Sequence, residues 1–274
     1  MSEDIEEKRM PLLDHLVELR SRLIYSFVAF IVAFFICYAF AEPIFAFLVE
    51  PLASLTEGEQ GRRMIYTALH EAFFTYLKVA FFAAACLAFP IISMQIWSFI
   101  APGLYKDEKT AFLPFLIATP ILFTIGAAMV YYLVIPLAWQ FFLGFEHPGT
   151  GGSLPLVLEP KVDQYLSLVM RLIFAFGVCF ELPVLIILLA KVGMVSSKGL
   201  ARKRKYAILI AFVVAAILTP PDVISQVLLA IPVAVLYEIS IICARAIEKK
   251  RGQQADDDDD DDEDEDVLSS SSAT

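Results

Sequence analysis

Long apolar stretches separated by short polar ones dominate the chain, and the stretches repeat at a length suited to membrane helices. A helix rises about 1.5 Å per residue, so the ~30 Å hydrocarbon core of a bilayer needs about 20 apolar residues. Four stretches reach or approach that length, and two more follow towards the C-terminus. We therefore predict six transmembrane helices at about 23–40, 72–96, 111–136, 166–190, 206–218 and 223–243.

The fifth predicted span is the shortest. Its 13 apolar residues give roughly 20 Å of helix, less than the hydrocarbon core requires. The sequence Thr219-Pro220-Pro221-Asp222 follows it, and two adjacent prolines must stop a helix. The last two spans are read as a hairpin with one short helix and local thinning of the bilayer, with a re-entrant pair as the alternative.

Composition supports an all-α polytopic membrane protein. The chain has 274 residues, of which 58% are hydrophobic, and a mean hydropathy of +0.69. A soluble domain of this length could not bury so much apolar surface. Six prolines interrupt the spans or mark their ends: Pro90, Pro114, Pro120, Pro136, Pro183 and Pro232. Because a proline inside a span kinks the helix, we expect a curved, concave bundle.

Basic residues predict the orientation. With six spans, 16 Lys and Arg residues fall on the side of the N- and C-termini and three fall on the other side. Cytoplasmic loops carry the excess of Lys and Arg, so both termini are expected to be cytoplasmic. On the external side, residues 42–48 are apolar enough to lie at the membrane interface.

The chain divides into three parts. Residues 1–22 are expected to form a cytoplasmic amphipathic N-terminal helix, and residues 23–244 the membrane domain. Residues 245–274 include eleven consecutive acidic residues, Asp256–Asp266, and a Ser-rich end. Such a segment cannot build a packed core, so we predict a disordered acidic cytoplasmic tail. That run accounts for the net charge of −10, because the remaining chain has 20 acidic and 21 basic residues.

One carboxylate lies deep inside an apolar span. Glu181 is ten residues from Lys191, or about 15 Å along a helix, near the middle of the bilayer. A charge at that depth costs a few kcal/mol, so such a residue usually faces a cavity, a partner or a pathway. Lys78 and Arg171 lie closer to the external end of their spans, where long cations extend to the interface.

Two more carboxylates flank spans on the predicted cytoplasmic side. Glu18 could simply pair with Arg22 one turn away, and Glu108 could simply stabilise the start of the third span. The other interpretation is that both offer carboxylates to a cationic ligand. Trp97 and Phe99, which are also typical of a membrane interface, could shield such a site and stack on a guanidinium group.

Signatures of enzymes are missing from the sequence. His70-Glu71 is not followed by the second histidine of HExxH, because residue 74 is Phe. The four cysteines occupy four separate spans without CxxC or histidine pairing, which is typical of buried hydrophobic residues. We expect no catalysis, no metal and no cofactor.

Four segments together resemble the TatC family, the receptor subunits of twin-arginine protein translocases. The resemblance covers residues 11 to 247 and rests on these segments: His15–Leu23, Pro90–Glu108, Phe176–Pro183, and Leu218–Asp222 with Gln226. It implies a protein of the bacterial inner membrane that binds twin-arginine signal peptides of folded cargo and assembles with TatA-like and TatB-like partners. The proton-motive force would drive transport.

The resemblance also implies roles for individual residues. Signal-peptide binding falls on Glu18 and Glu108, with Arg20 and Phe99 nearby, and the intramembrane functional acid on Glu181. Asp222 and Gln226 mark the region where partner helices dock. Two alternatives stay open from the residues alone: a proton-coupled small-solute transporter that uses Glu181, and a membrane scaffold without a ligand.

Overall fold

The fold is known from a computed structural model, which describes residues 12–56, 63–100, 113–147, 149, 154–191, 193–219 and 223–271. Glu108 and Asp222 lie outside these residues. Within them the regular structure is helical, and the β-structure consists of two isolated bridges, Ile65 with Lys161 and His147 with Leu156. The prediction of an all-α protein is therefore confirmed.

Ten α-helices and one π-helical turn follow one another along the described chain. They are α1 Leu12–Ala39, α2 Ala41–Leu55, α3 Glu71–Ile100, α4 Leu113–Met129, the π-helical turn Val130–Val134, α5 Ile135–Leu143, α6 Val162–Cys179, α7 Leu182–Lys191, α8 Ser197–Arg202, α9 Arg204–Leu218 and α10 Val223–Ser271.

Five helical segments in the described chain are long and apolar enough to cross a membrane. They are Leu16–Ala39, Glu71–Phe99, Phe115–Leu143, Val162–Lys191 and Gln226–Lys249. The other predicted span corresponds to α9, whose 15 residues give about 22 Å of helix. Five spans thus have full length, and a sixth at α9 stays a prediction.

Prolines affect these helices in different ways. Pro183 has no N–H to donate to the carbonyl of Cys179, and the fourth span is broken there between α6 and α7. Pro136 follows the π-helical turn that joins α4 to α5. Pro90 and Pro120, by contrast, lie inside helices that continue through them. The expected interruption therefore occurs at some of the prolines only.

Helix α6 lies at the centre of the main hydrophobic core. Its Leu166, Val169 and Phe176 are at most 1% exposed, and it packs against α3 and α4. Two glycines permit close packing between α4 and α6. A Cβ at Gly177 would overlap the ring of Phe123, and one at Gly126 would lie 2.8 Å from the carbonyl oxygen of Phe176. Small residues allow membrane helices to approach closely in this way.

The ends of the helices define two sides of the molecule. The basic side holds the start of α1 and α9 and the ends of α3, α7 and the apolar part of α10, and the opposite side holds α2. Helix α2 was not predicted as a helix, only as an apolar segment at the interface. It packs mainly on α3 and α5, with Leu48 and Leu52 buried.

The predicted N-terminal and C-terminal parts are continuous with the spans. Helix α1 passes residue 22 without a break, and α10 continues as helical backbone to Ser271, where a disordered tail from residue 245 was expected. The start of that segment is packed, because Glu248 accepts hydrogen bonds from the backbone N–H and the hydroxyl of Ser197. Residue 248 therefore packs against the start of α8, and the boundary at 245 stays a prediction.

Candidate functional site

Glu18 lies on the basic side in a small polar network between α1 and α3. Its Oε1 is 3.2 Å from the Nη2 of Arg22, and the Nη1 of Arg22 donates to Oε1 of Gln95 at 3.1 Å. The side chain of Glu18 is 23% exposed. The helical pairing with Arg22 expected from the spacing is thus present, and Gln95 fixes the pair to α3.

The other predicted binding residues on this side have different surroundings. Arg20 is exposed on α1. Phe99 is half-buried on α3, one helical turn after Gln95 and hence close to the same face. The structure therefore brings Glu18 and Phe99 to the same end of two helices that pack together.

Glu181 occupies the break between α6 and α7. Its backbone N–H donates to the carbonyl of Val178 and its own carbonyl accepts from Leu185, so the residue joins the two helices. Both carboxylate oxygens are buried, and neither has a hydrogen-bond partner among the described residues. A buried polar group without a partner costs free energy, so the fold maintains this carboxyl group at an energetic cost.

Trp97 and Thr119 lie next to this break. The indole N–H of Trp97 donates to the hydroxyl of Thr119 at 3.2 Å, and Trp97 is only 7% exposed. Its ring packs on Val184 and Leu188 of α7. Thr119 also lies beside the Glu181 carboxylate, without forming a hydrogen bond of normal geometry. Trp97 is therefore a buried packing residue, whereas its sequence position suggested an aromatic side chain at the interface.

Gln226 connects the last two helices. Its Nε2 donates to the carbonyl oxygen of Phe212 on α9 at 3.1 Å, one of several contacts between α9 and α10. A glutamine that fills this role holds the hairpin together.

The two cations inside the spans differ. Lys78 forms an ion pair with Asp163, which joins α3 to the start of α6 near the opposite side. Arg171 is exposed on α6. Lys78 therefore has a protein partner in addition to any contact with the interface.

The comparisons with known proteins agree with this arrangement. The sequence profile of the family described as "Sec-independent protein translocase protein (TatC)" matches residues 14–232. The chain belongs to the TatC family. A TatC protein from Magnetococcus marinus is 54% identical over 254 residues, which cover 93% of this chain and 90% of that protein. A TatC protein from Escherichia coli K12 is 42% identical and covers 87% of this chain and 90% of its own length.

A solved structure supports the same conclusion. The crystal structure described as the twin-arginine translocase receptor TatC in DDM is similar to this chain with a TM-score of 0.73 at 41% identity. The match covers 84% of this chain and 99% of the other. Membership of the TatC family makes the chain a multi-pass membrane component of a Sec-independent protein translocase, a class of transport proteins rather than of catalytic enzymes.

Sequence reasoning missed three features around the site. Gln95 and Thr119 are polar residues whose partners come from other helices, and no local pattern marks such contacts. Asp163, the partner of Lys78, is 85 residues away in sequence. The available signal was an acid three residues before the fourth predicted span, combined with a basic residue near the external end of the second predicted span.

Proposed function

We propose that this TatC family protein is the signal receptor and core subunit of a twin-arginine export system. Glu18 and Glu108 would bind the two arginines of a signal peptide on the basic side, with Arg20 and Phe99 beside them. The observation that carries the proposal is the half-buried carboxylate of Glu18, which Arg22 and Gln95 hold in place between α1 and α3.

The solvent exposure of Glu18 determines how much free energy its pairing with an arginine of the signal peptide would contribute. An ion pair on an open surface contributes at most about 1 kcal/mol, whereas a charged hydrogen bond in a partly desolvated site contributes about 1.5–3 kcal/mol. Glu18 is 23% exposed and therefore partly desolvated. Among the described residues, Arg22 contacts one of the two carboxylate oxygens, Oε1, so the other would accept from an incoming guanidinium.

Glu181 extends the binding path into the membrane. A signal peptide carries an apolar stretch after its arginines, and a concave face of the bundle would receive that stretch. The buried carboxyl group of Glu181 is about 15 Å from the end of α7, so it would contact the peptide or a partner helix at mid-depth. It would act as a polar contact point and not as a catalytic group.

The partners follow from the same assignment. TatA-like and TatB-like single-span proteins would dock along the short helix α9 near Asp222 and Gln226, and copies of the complex would associate. We propose six spans, both termini in the cytoplasm, and the bacterial inner membrane as the location. The proton-motive force would drive transport without a bound cofactor.

A proton-coupled small-solute transporter is not favoured. Relatives that are 54% and 42% identical over most of the chain are translocase components. Within the fourth predicted span, residues 166–190, Glu181 is also the one acidic residue and no histidine is present, so the span itself offers no second group for a proton relay.

Site-specific cross-linking of a twin-arginine signal peptide in membranes tests the binding site. Glu108→Lys should weaken the cross-link at least tenfold, because it replaces an attraction for arginine by a repulsion. Glu159→Lys is the matched control, since Glu159 is an exposed carboxylate on the opposite side. Cross-linking that is equal in the two variants would contradict the proposal.

A second variant tests Glu18 by itself. Glu18→Gln keeps the size of the side chain and its contact distance to Arg22 but removes the charge. We expect weaker cross-linking to the twin-arginine peptide and unchanged cross-linking to a control peptide whose two arginines are replaced by glutamines. A membrane scaffold without a ligand would instead show altered thermal stability in these variants and no effect on peptide binding.

A further inference from the structure

An apolar cleft separates α7 from α9 within the membrane domain. Its volume is about 330 Å³, within the range of roughly 300–1,000 Å³ of small-molecule sites. The walls are formed by residues of three helices and the end of α6. They include Leu182, Ile186, Ala207, Ile210, Val214 and Val233.

The cleft exists because α7 and α9 both pack on α10 and α9 presents small side chains between them. Ala207 and Ala211 line the cleft where larger residues would fill it. Tyr237 of α10 closes one part of the wall, and its hydroxyl is already satisfied by the carbonyl of Leu200 at 3.0 Å. Apart from the weakly polar thiol of Cys179, the lining offers no free polar group to a polar solute, and an apolar chain fits it.

The cleft extends about 10 Å along α9 from Ala207 to Val214. Its apolar walls suit a hydrocarbon chain of that length, and the charge at its end decides between this and other apolar occupants.

A basic segment lies at one end of the cleft. Residues 202–205 read Arg-Lys-Arg-Lys and are all exposed, and Lys203 is one helical turn before Ala207. Arg204 contacts Glu238 at 2.9 Å, and Glu238 is the residue after Tyr237, which is part of the cleft wall. Four positive charges next to one carboxylate leave a net positive end, which complements an anionic headgroup.

We infer that this cleft binds an anionic phospholipid, with one acyl chain between α7 and α9 and the phosphate at Arg202–Lys205. The apolar cleft accounts for the acyl chain, and the basic segment accounts for the anionic headgroup. The cleft lies among helices of the membrane domain, where lipid is the solvent, and the basic segment lies where the headgroups of a leaflet are found.

Native mass spectrometry of the purified full chain in detergent tests this directly. Phosphatidylglycerol and phosphatidylcholine with identical acyl chains are titrated separately, and retained lipid is counted. The wild-type chain should retain one phosphatidylglycerol at a concentration at least tenfold lower than the first phosphatidylcholine. No signal peptide or partner is present, so failure here would leave the proposed receptor function untouched.

A variant that fills the cleft tests the acyl-chain part. Ala207→Phe should weaken retention of the first phosphatidylglycerol at least tenfold. Val213→Phe is the matched control, because Val213 lies on the same helix, is 50% exposed and is not part of the cleft wall. Thermal unfolding of both variants verifies that they are folded, and Ala207→Leu provides a smaller filling side chain if the phenylalanine is not tolerated.

Charge variants test the headgroup part. Lys203→Gln and Lys205→Gln should each weaken phosphatidylglycerol binding about fivefold, which corresponds to the ~1 kcal/mol per basic residue near an anionic surface. Lys161→Gln removes a charge on the opposite side and should have no effect. Two results would overturn the assignment: retention of phosphatidylglycerol by Ala207→Phe at the wild-type level, or unchanged phosphatidylglycerol binding in both Lys203→Gln and Lys205→Gln.

Discussion

The hydroxyl of Tyr131 donates a hydrogen bond to the carbonyl oxygen of Phe47 at 2.7 Å, and the two rings stack at 4.3 Å. This carbonyl needs an external donor, because residue 51, four positions later in α2, is a proline without an N–H. Tyr165 donates to the next carbonyl, that of Leu48, at 3.1 Å. Tyr131 thus supplies the donor that Pro51 lacks, and Tyr165 adds a second hydrogen bond that ties α2 to α6.

The first prediction concerns this contact. Tyr131→Phe should lower the free energy of unfolding by about 1 kcal/mol, because the Phe47 carbonyl loses its donor while the ring stack is kept. Thermal unfolding in detergent measures the change. Tyr132→Phe is the control, since Tyr132 is 72% exposed and its neighbour makes the contact.

The proline offers a second test of the same mechanism. Pro51→Ala restores an N–H that can donate to the carbonyl of Phe47. Tyr131→Phe should therefore lower the free energy of unfolding by less in the Pro51→Ala variant than in the wild-type chain. If Tyr131→Phe lowers the free energy of unfolding equally with and without the proline, the hydrogen bond does not explain the stability change.

A second prediction concerns the glycines between α4 and α6. Gly126→Ala should destabilise the protein by about 1–3 kcal/mol, because the added Cβ would lie 2.8 Å from a backbone oxygen of Phe176. Gly144→Ala should cost less, since its nearest contact is 3.2 Å. The midpoint of thermal unfolding orders the two variants, and the opposite order would contradict the packing described here.

A third prediction concerns Glu181. Glu181→Gln removes a buried carboxylate that has no hydrogen-bond partner among the described residues, so the unfolding midpoint should not fall. Trp97→Phe, in contrast, loses the donor to Thr119 and should cost about 1 kcal/mol. Both are read by thermal unfolding of the purified chain. A loss in the glutamine variant larger than in Trp97→Phe would mean that the carboxylate has a structural partner.

A fourth prediction concerns the ion pair of Lys78 with Asp163. The two side chains are 50% and 35% exposed, so solvent and headgroups screen the pair and its coupling energy should be below about 1 kcal/mol. A double-mutant cycle with Lys78→Gln and Asp163→Asn measures that energy. A coupling above 2 kcal/mol would place the pair in a far drier environment than its exposure indicates.

The apolar pattern predicted the long helices well, because a run of about 20 hydrophobic residues has few alternatives in a membrane protein. It could not identify α2, whose Glu42, Glu50 and Pro51 resemble a loop and whose stability comes from tyrosines more than 80 residues away. The sequence pattern identified Glu181 because a carboxylate inside an apolar run is visible in the sequence itself. The pattern could not show that Thr119 lies beside this acid or that Trp97 contacts Thr119, since these residues come together only through the packing of three helices.

The break at Glu181 divides the fourth span between two packing units. Helix α6 contributes to the central core through residues such as Phe176, whereas α7 packs on Trp97 through Leu188 and on α10 through Ile186. Free-energy changes of substitutions in separate units add, and those in one unit interact. Core variants of α6 and α7 should therefore combine almost additively, so that one half of this span can change in sequence without compensating changes in the other.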